Sequence, residues 1–268
     1  MKNILARSYL FVPGDRPERF DKACAAGAHA VIVDLEDAVP PTGKQAARAA
    51  VAAWVSPDHP VLVRVNGAGS EWFADDLALC GLPGVAGIVL PKAENPRDIA
   101  QLVAAGAQRV LPLIETAQGV WHAHALATTP GVPRLMFGSI DFQLDAGIDG
   151  DVDELLYVRS QLVLVSRVAG IQPPVDGVTT ALDDPEQLRS DTQRARRLGF
   201  GGKLCIHPKQ VERVNRHFLP SEEDVAWARR VLQAAADAQG AAVALDGKMV
   251  DLPVIRKAEE IVSEVERR

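Results

Sequence analysis

The chain has 268 residues, 47% of them apolar, a formal net charge of −6 and a sequence pI near 5.6, which excludes a disordered tail and the basic surface that non-specific nucleic-acid binding requires. Its three cysteines, Cys24, Cys80 and Cys205, include no CxxC pair, so neither a disulfide framework nor a structural zinc site is indicated. No apolar run approaches the roughly 20 residues that span a bilayer, and the run at 9–12 is cut by Pro13-Gly14, too short for a signal-peptide core. The expectation is a cytoplasmic protein with no nucleic-acid or membrane partner.

Strand-like runs at 8–12, 30–36, 61–65, 88–90, 111–114, 135–137, 174–178 and 204–206 alternate with helix-like segments. The helices are predicted at 17–26, 44–55, 71–80, 95–105, 118–127, 153–169, 184–198 and 208–218. Asn95 and Pro96 stand at the N-cap and N1 positions that start a helix. Continuous apolar strands joined by helical crossovers describe a parallel sheet covered on its outer face. Eight such units fit an α/β fold of the (β/α)8 TIM-barrel type. A doubly wound sheet is the runner-up, and the sequence after the first strand, Val12-Pro13-Gly14-Asp15-Arg16-Pro17, is not the GxGxxG loop it would use. The barrel is expected over 1–220 and a C-terminal helical extension over 221–268, with helices at 222–239 and 252–268 around an extended turn at 241–251. No strand remains for this extension to serve, so it either caps the barrel or packs on a neighbouring subunit.

Six of the strand-like runs end in polar or charged groups: Asp34, Glu36 and Asp37, then Arg64, Lys92, Glu115, Asp141 and His207. An isolated buried charge costs several kcal/mol. Charges recurring where buried strands surface therefore converge on one pocket, at the end where barrel active sites lie. Glu115 and Asp141, from adjacent strand ends, are expected to bind a hard divalent cation, Mg²⁺ with Mn²⁺ as the variant; helix capping is the alternative for either acid. Glu36 and Asp37 are read as catalytic-site acids orienting Arg64 or a metal-bound water, Asp37 having a turn role as its alternative. Arg64 is expected to hold a substrate carboxylate bidentately. Gly138, Ser139 and Ile140 offer backbone N–H groups for a carboxylate, and Arg16 and Lys22 could meet a phosphate-bearing ligand. Lys92 and His207 are weaker members, since a terminal lysine usually solvates and a lone histidine before proline is usually structural.

Several segments carry a family resemblance. Ser8-Tyr9-Leu10-Phe11-Val12-Pro13-Gly14-Asp15-Arg16-Pro17-Glu18-Arg19, Asp34-Leu35-Glu36-Asp37-Ala38-Val39, Val63-Arg64-Val65-Asn66 and Leu90-Pro91-Lys92-Ala93-Glu94 are four of them. Ile114-Glu115-Thr116-Ala117, Cys205-Ile206-His207-Pro208 and Gly247-Lys248-Met249-Val250-Asp251 complete the set. In order, over nearly the whole chain, they resemble the citrate lyase β-subunit-like branch of the HpcH/HpaI aldolase family, which includes citryl-, malyl- and citramalyl-CoA lyases. The resemblance implies a TIM barrel assembled as a trimer or hexamer. It also implies a carbon–carbon lyase that cleaves or forms the bond between a 2-oxo acid and an acyl-CoA.

On the same resemblance, Glu115 and Asp141 hold Mg²⁺, Arg64 binds the oxo-acid carboxylate, and Arg16 and Lys22 fall where coenzyme A is contacted. Asp251 is implied to reach a neighbour's site and handle the proton on the thioester α-carbon. Many relatives carry Gly-Ala-Glu-Asp where this chain has Gly138-Ser139-Ile140-Asp141, so Ile140 replaces an acid. Two other functions fit parts of the sequence: a metal-dependent aldolase or decarboxylase acting on a free 2-oxo acid without CoA, and a non-catalytic accessory subunit.

Overall fold

The alternation of apolar runs closes on itself. The structure, a computed structural model, describes residues 5–237 and 243–266. Its strands are β1 (Ser8–Pro13), β2 (Ala30–Asp34), β3 (Val61–Arg64), β4 (Val85–Leu90), β5 (Val110–Ile114), β6 (Arg134–Phe137), β7 (Gln172–Asp176) and β8 (Gly202–Cys205). They form a closed barrel in sequence order, every neighbouring pair parallel, with β8 returning to β1. This is the expected TIM barrel. Tyr9, Ile32, Leu62, Val89, Leu111, Leu113, Met136, Val175 and Leu204 fill its interior, so the barrel is a packed core and not a pore.

Helices α1 (Phe20–Cys24), α2 (Lys44–Trp54), α3 (Phe73–Asp76), α4 (Pro96–Ala104), α5 (Ala117–Trp121), α6 (Ala123–Ala127), α7 (Ser139–Ala146), α8 (Leu156–Val168), α9 (Pro185–Leu198) and α10 (Pro208–His217) connect or follow the strands. As expected, α4 starts with the Asn95 side chain accepting the Arg97 N–H and with Pro96 at the first position. Three helices depart from their sequence patterns. The segment predicted as one helix over 118–127 breaks at His122, whose ring Nδ1 lies 2.9 Å from the Glu94 carbonyl oxygen and whose backbone leaves the helical region. The one predicted over 71–80 is α helix only to Asp76 and finishes as a 3₁₀ turn, Leu77–Leu79. Helix α7 has no counterpart in the pattern, because Ile140 and Leu144 face outward and only Ser139 and Phe142 are buried.

Between sheet and helices lies a second, charged layer. Asp176 of β7 accepts from Arg159 Nε of α8 at 3.0 Å, and Lys203 of β8, paired in register with Asp176, donates from Nζ to the Gly177 carbonyl at 2.7 Å. Asp151 adds a second carboxylate for Arg159 and one for Arg194 of α9. All three of Arg159, Asp176 and Lys203 are buried, and burial lowers the Lys203 pKa, with Asp176 and Asp191 opposing it.

The described residues divide into two compact units, one ending at Asn215 and the other starting at Arg216. The second contains α11 (Glu222–Asp237), a hairpin of β9 (Val243–Leu245) and β10 (Lys248–Val250), and α12 (Leu252–Glu266). Its own core is Ala228, Val231, Val250, Ala258 and Ile261. Asp246 and Gly247 both take positive φ, 51° and 73°, as a two-residue hairpin turn demands. The expected helical and turn residues at 238–242 and 267–268 lie outside the described residues. Among the described residues, no helix is long and apolar enough to cross a membrane.

Removing one partner from a buried charge pair leaves the other uncompensated, at about 3–5 kcal/mol. Asp176→Ala takes from Arg159 its Nε partner, leaving Asp151, and removes one of the two carboxylates that offset the burial of Lys203, and is expected to lower stability in urea by up to that amount. A loss below about 1 kcal/mol would show that the charged layer contributes little.

Candidate active site

The parallel register of β2 and β3 sets Asp34 opposite Arg64, and the two side chains meet at the strand ends. Arg64 donates from Nε to Asp34 Oδ1 and from Nη2 to Asp34 Oδ2, both at 2.7 Å. Its Nη1 faces Glu36 Oε2 at 2.9 Å, an ion pair without hydrogen-bond geometry, and donates to Asp37 Oδ2 at 3.3 Å. Phe11 lies against the guanidinium, its ring centroid 4.9 Å from Cζ. Burial opposes the Arg64 charge, but the three carboxylates more than reverse this and raise its pKa. Asp34 also accepts the N–H groups of Glu36 and Ala38, so its oxygens are committed to fixing the arginine and the loop. A guanidinium has five N–H groups, and among the described residues the second on Nη2 has no hydrogen-bond partner.

Lys92 is more than the solvated terminus its sequence suggests. It lies in the turn two residues beyond β4, at φ 47°, a left-handed conformation rare for a side chain with a Cβ. In that geometry its N–H donates to Glu115 Oε1 at 2.7 Å while its Nζ reaches Glu36 Oε1 at 2.7 Å. One residue thus links the Arg64 cage to the buried acid at the end of β5. Lys44, which sequence reading passed over, supports the cage from behind: its buried Nζ donates to the carbonyls of Leu35 and Glu36, each at 2.7 Å. Asn66 was likewise not singled out. Its N–H and Nδ2 both donate to Asp76 Oδ2, at 2.8 and 2.7 Å. Asn66 had a signal in the Val63-Arg64-Val65-Asn66 segment of the resemblance, and Lys44 had only its closeness in sequence to Glu36.

Glu115 is buried, and Gly138, opening α7 beyond β6, presses against it. A Cβ on Gly138 would lie 2.4 Å from Glu115 Oε2, so the backbone reaches the carboxylate only because position 138 has no side chain. The Glu115 pKa is pushed up to about 8, first by burial and then by Glu36 and Asp141. Asp141 is half-buried in the first turn of α7. A buried carboxylate whose charge is opposed by two neighbouring acids is chemically suited to a cation. Among the described residues no three or more His, Cys, Asp or Glu form a metal-ligating group. The donors that fit are Glu115 and Asp141, a pair of hard oxygen ligands of the kind that leaves most of a Mg²⁺ coordination shell to water and substrate. Ser139, between them in sequence, is buried with its Oγ unpartnered.

A cavity of about 850 Å³ opens beside this cluster over the ends of β2 to β5, lined among others by Glu36, Lys44, Asn66, Trp72, Lys92 and Asn95. Its size suits an organic ligand of several hundred daltons. Arg16 and Lys22 are exposed beyond the end of β1, Arg16 lying 3.9 Å from Asp15. His207 is a local cap, its Nδ1 accepting the Lys209 N–H at 3.1 Å. Asp251, half-buried, belongs to the second unit, where its carbonyl accepts the Ile255 N–H at the start of α12. Ile140 is exposed beside Asp141.

Residues 7–208 match the family model described as HpcH/HpaI aldolase/citrate lyase. The chain is 40% identical to a citrate lyase subunit beta-like protein of Deinococcus radiodurans, over 97% of both chains. It is 34% identical to a (3S)-malyl-CoA thioesterase of Cereibacter sphaeroides, over 97% of this chain and 94% of that one. Among solved structures it is similar to protein CitE from Mycobacterium tuberculosis in complex with magnesium, acetoacetate and coenzyme A. That similarity has a TM-score of 0.87 at 35% identity, over 98% of both chains.

Two measurements probe the acid pair. Gly138→Ala drives a methyl into Glu115, and overpacking of this kind costs about 1–3 kcal/mol; an unchanged melting temperature would contradict the contact. The folded pKa of Glu115, about 8, lies above its ordinary value of 4.5, so its contribution to stability is full below 4.5 and is lost as pH rises through about 8. In chelator, stability measured from pH 5 to 8.5 should therefore fall more steeply for the parent protein than for Glu115→Gln. Equal slopes would refute the raised pKa.

Proposed function

The chain belongs to the HpcH/HpaI aldolase/citrate lyase family, and we propose that within it the chain cleaves or forms a carboxylated 3-hydroxyacyl-CoA, with a 2-oxo acid and an acyl-CoA as the other side of the reaction. What supports this reading is one juxtaposition: a buried guanidinium with an uncommitted N–H, joined through Lys92 to a buried carboxylate suited to a divalent cation. The first binds a carboxylate and the second meets an adjacent oxygen, the two groups that a 2-oxo acid or 2-hydroxy acid presents side by side. The CitE complex holds magnesium, acetoacetate and coenzyme A together.

Glu115 and Asp141 would hold Mg²⁺, with Mn²⁺ as the variant. The ion would supply Lewis-acid stabilisation of negative charge on the reacting oxygen. Arg64 binds the substrate carboxylate, while Asp34 holds the guanidinium plane fixed so that little orientation is lost on binding. The backbone at Gly138, Ser139 and Ile140 completes the carboxylate seat, and Arg16 and Lys22 contact coenzyme A. In the cleavage direction the 3-hydroxyl loses its proton to Glu36, whose pKa is raised by burial against the pull of Arg64 and Lys92. The bond between the thioester α-carbon and the hydroxyl carbon then breaks. Its electron pair passes to the α-carbon as an enolate, and Asp251 of a neighbouring subunit supplies the proton that yields the acyl-CoA. Asp37 steadies Arg64 from the pocket side. The working form is a homo-oligomer, a trimer or hexamer, in the cytoplasm, with the barrel over 1–220 and the extension over 221–268 supplying Asp251.

The likeness to a malyl-CoA thioesterase favours a second reading, in which water attacks the thioester carbonyl at the same site. Products separate the two: cleavage gives an oxo acid and an acyl-CoA, whereas hydrolysis gives a hydroxy acid and free CoA.

Asp141→Ala is expected to abolish turnover of malyl-, citramalyl- or citryl-CoA while the protein stays folded; full activity would sink the assignment. Arg64→Lys keeps the charge but loses the planar fork, and kcat/KM should fall about 10- to 100-fold, the worth of a charged hydrogen bond. Asp251→Asn and Asp141→Ala should each be inactive alone. Unfolded together and refolded as mixed oligomers, they should regain activity, since some sites then combine an intact Asp141 with a neighbour's intact Asp251. No recovery would place Asp251 outside the neighbour's site.

A further inference from the structure

Of the two oxygens of the buried Glu36, only one is engaged in a hydrogen bond. Oε1 accepts from Lys92 Nζ at 2.7 Å, while Oε2, shielded from solvent, has no hydrogen-bond partner among the described residues. Arg64 Nη1 stands 2.9 Å from Oε2 without hydrogen-bond geometry. A carboxylate and a guanidinium this close ordinarily align into a forked pair. The backbone of Glu36 is fixed by its N–H, which donates to Asp34 Oδ1 at 2.9 Å, so side-chain rotation is the freedom left to it. The pull of Lys92 on Oε1 uses up that freedom, keeping Oε2 open and Glu36 from closing on the guanidinium.

The backbone of Lys92 acts separately from its side chain. At φ 47° its N–H meets Glu115 Oε1 at 2.7 Å, and the next N–H, of Ala93, donates to the Leu113 carbonyl at 3.2 Å. Two successive N–H groups therefore face β5, as a left-handed residue in a turn permits. Glu115 is held at Oε1 by this bond and bounded at Oε2 by Gly138. The Lys92 side chain takes no part in that contact, and another residue that accepts positive φ would present the same N–H.

We propose that Lys92 is a positioning residue with two separable roles: its N–H aims Glu115 at the divalent cation, and its ammonium holds Glu36 so that Oε2 is the atom receiving the substrate hydroxyl proton. The first role rests only on the cation reading, and the second rests on the reaction proposed above. In that step the hydroxyl O–H bond breaks and a bond from the proton to Glu36 Oε2 forms. The electron pair left on oxygen becomes the second bond of the new carbonyl as the carbon–carbon bond breaks. Lys92 exchanges no proton with the substrate.

Two substitutions separate the roles. Lys92→Gly removes the ammonium and accepts positive φ, whereas Lys92→Val removes the ammonium and resists that conformation. In Mn²⁺ titrations followed by electron paramagnetic resonance, Lys92→Gly should bind within about twofold of the parent and Lys92→Val about 10-fold more weakly, the usual worth of a bond that orients a metal ligand. If Lys92→Val does not fold, Lys92→Ala, a milder form of the same change, should lie between the parent and that value. In turnover of malyl- or citramalyl-CoA, Lys92→Gly should lose about 10- to 100-fold in kcat. Lys92 lines the cavity, so n-butylamine can reach the space left by its side chain and should restore part of the rate, whereas n-butanol should not. Mn²⁺ affinity equal in Lys92→Gly and in the folded Lys92→Val or Lys92→Ala overturns the role of the N–H, as does a parent that binds no Mn²⁺. Undiminished turnover by Lys92→Gly, or rescue by the amine no better than by the alcohol, overturns the role of the ammonium. A parent that binds Mn²⁺ and cleaves none of malyl-, citramalyl- or citryl-CoA overturns the proposed reaction and the ammonium's role with it, and the Mn²⁺ comparison then decides the N–H alone.

Discussion

The site depends on one requirement: a guanidinium buried at the end of a valine-rich strand must be neutralised where it stands. Asp34, one strand away and in register, does this with two hydrogen bonds of 2.7 Å. Because Asp34 also ties down the N–H groups of Glu36 and Ala38, the same charge that holds Arg64 shapes the loop presenting Glu36 and Asp37. Lys44 closes that loop from the other side through two backbone carbonyls. The ends of β2 and β3 are thus organised by charge neutralisation in a medium where an unpaired ion is not tolerated.

A second site element is the reverse case, a charge left without full compensation. Glu115 has the Lys92 N–H as its direct donor, while Glu36 and Asp141 oppose its ionisation. Lys92 is held at positive φ to make that bond, and Gly138 gives up a side chain so that α7 can begin against the carboxylate. Backbone strain kept at a polar cluster is a common mark of functional sites. In this chain it falls on the residue that joins Glu36 of the Arg64 cage to Glu115, so both parts of the cluster share one rigid frame.

Much of this was legible before the structure. Apolar runs with helical crossovers specify a parallel barrel, and such a barrel delivers the polar ends of its strands to one rim, which is why Arg64, Glu115 and Asp141 could be singled out from position alone. Lys92 was undervalued, because its worth lies in a backbone conformation that composition does not encode. Helix α7 was missed for a related reason: Ile140 and Leu144 are exposed and Phe142 is its one large apolar residue buried, so a pattern read as core-facing has little to detect there.

The sequence by itself determined the eight strands, their order and the family, since periodicity, strand length and local motifs are properties of neighbouring residues. It also marked the acids and the arginine, because charge at the end of an apolar run is visible in one dimension. Tertiary structure alone decided which acid neutralises Arg64, which residue bridges to Glu115, and how close Gly138 comes to it. Those contacts join residues 23 to 56 positions apart. They depend on strand register and barrel closure, which set distances between segments that no local pattern records.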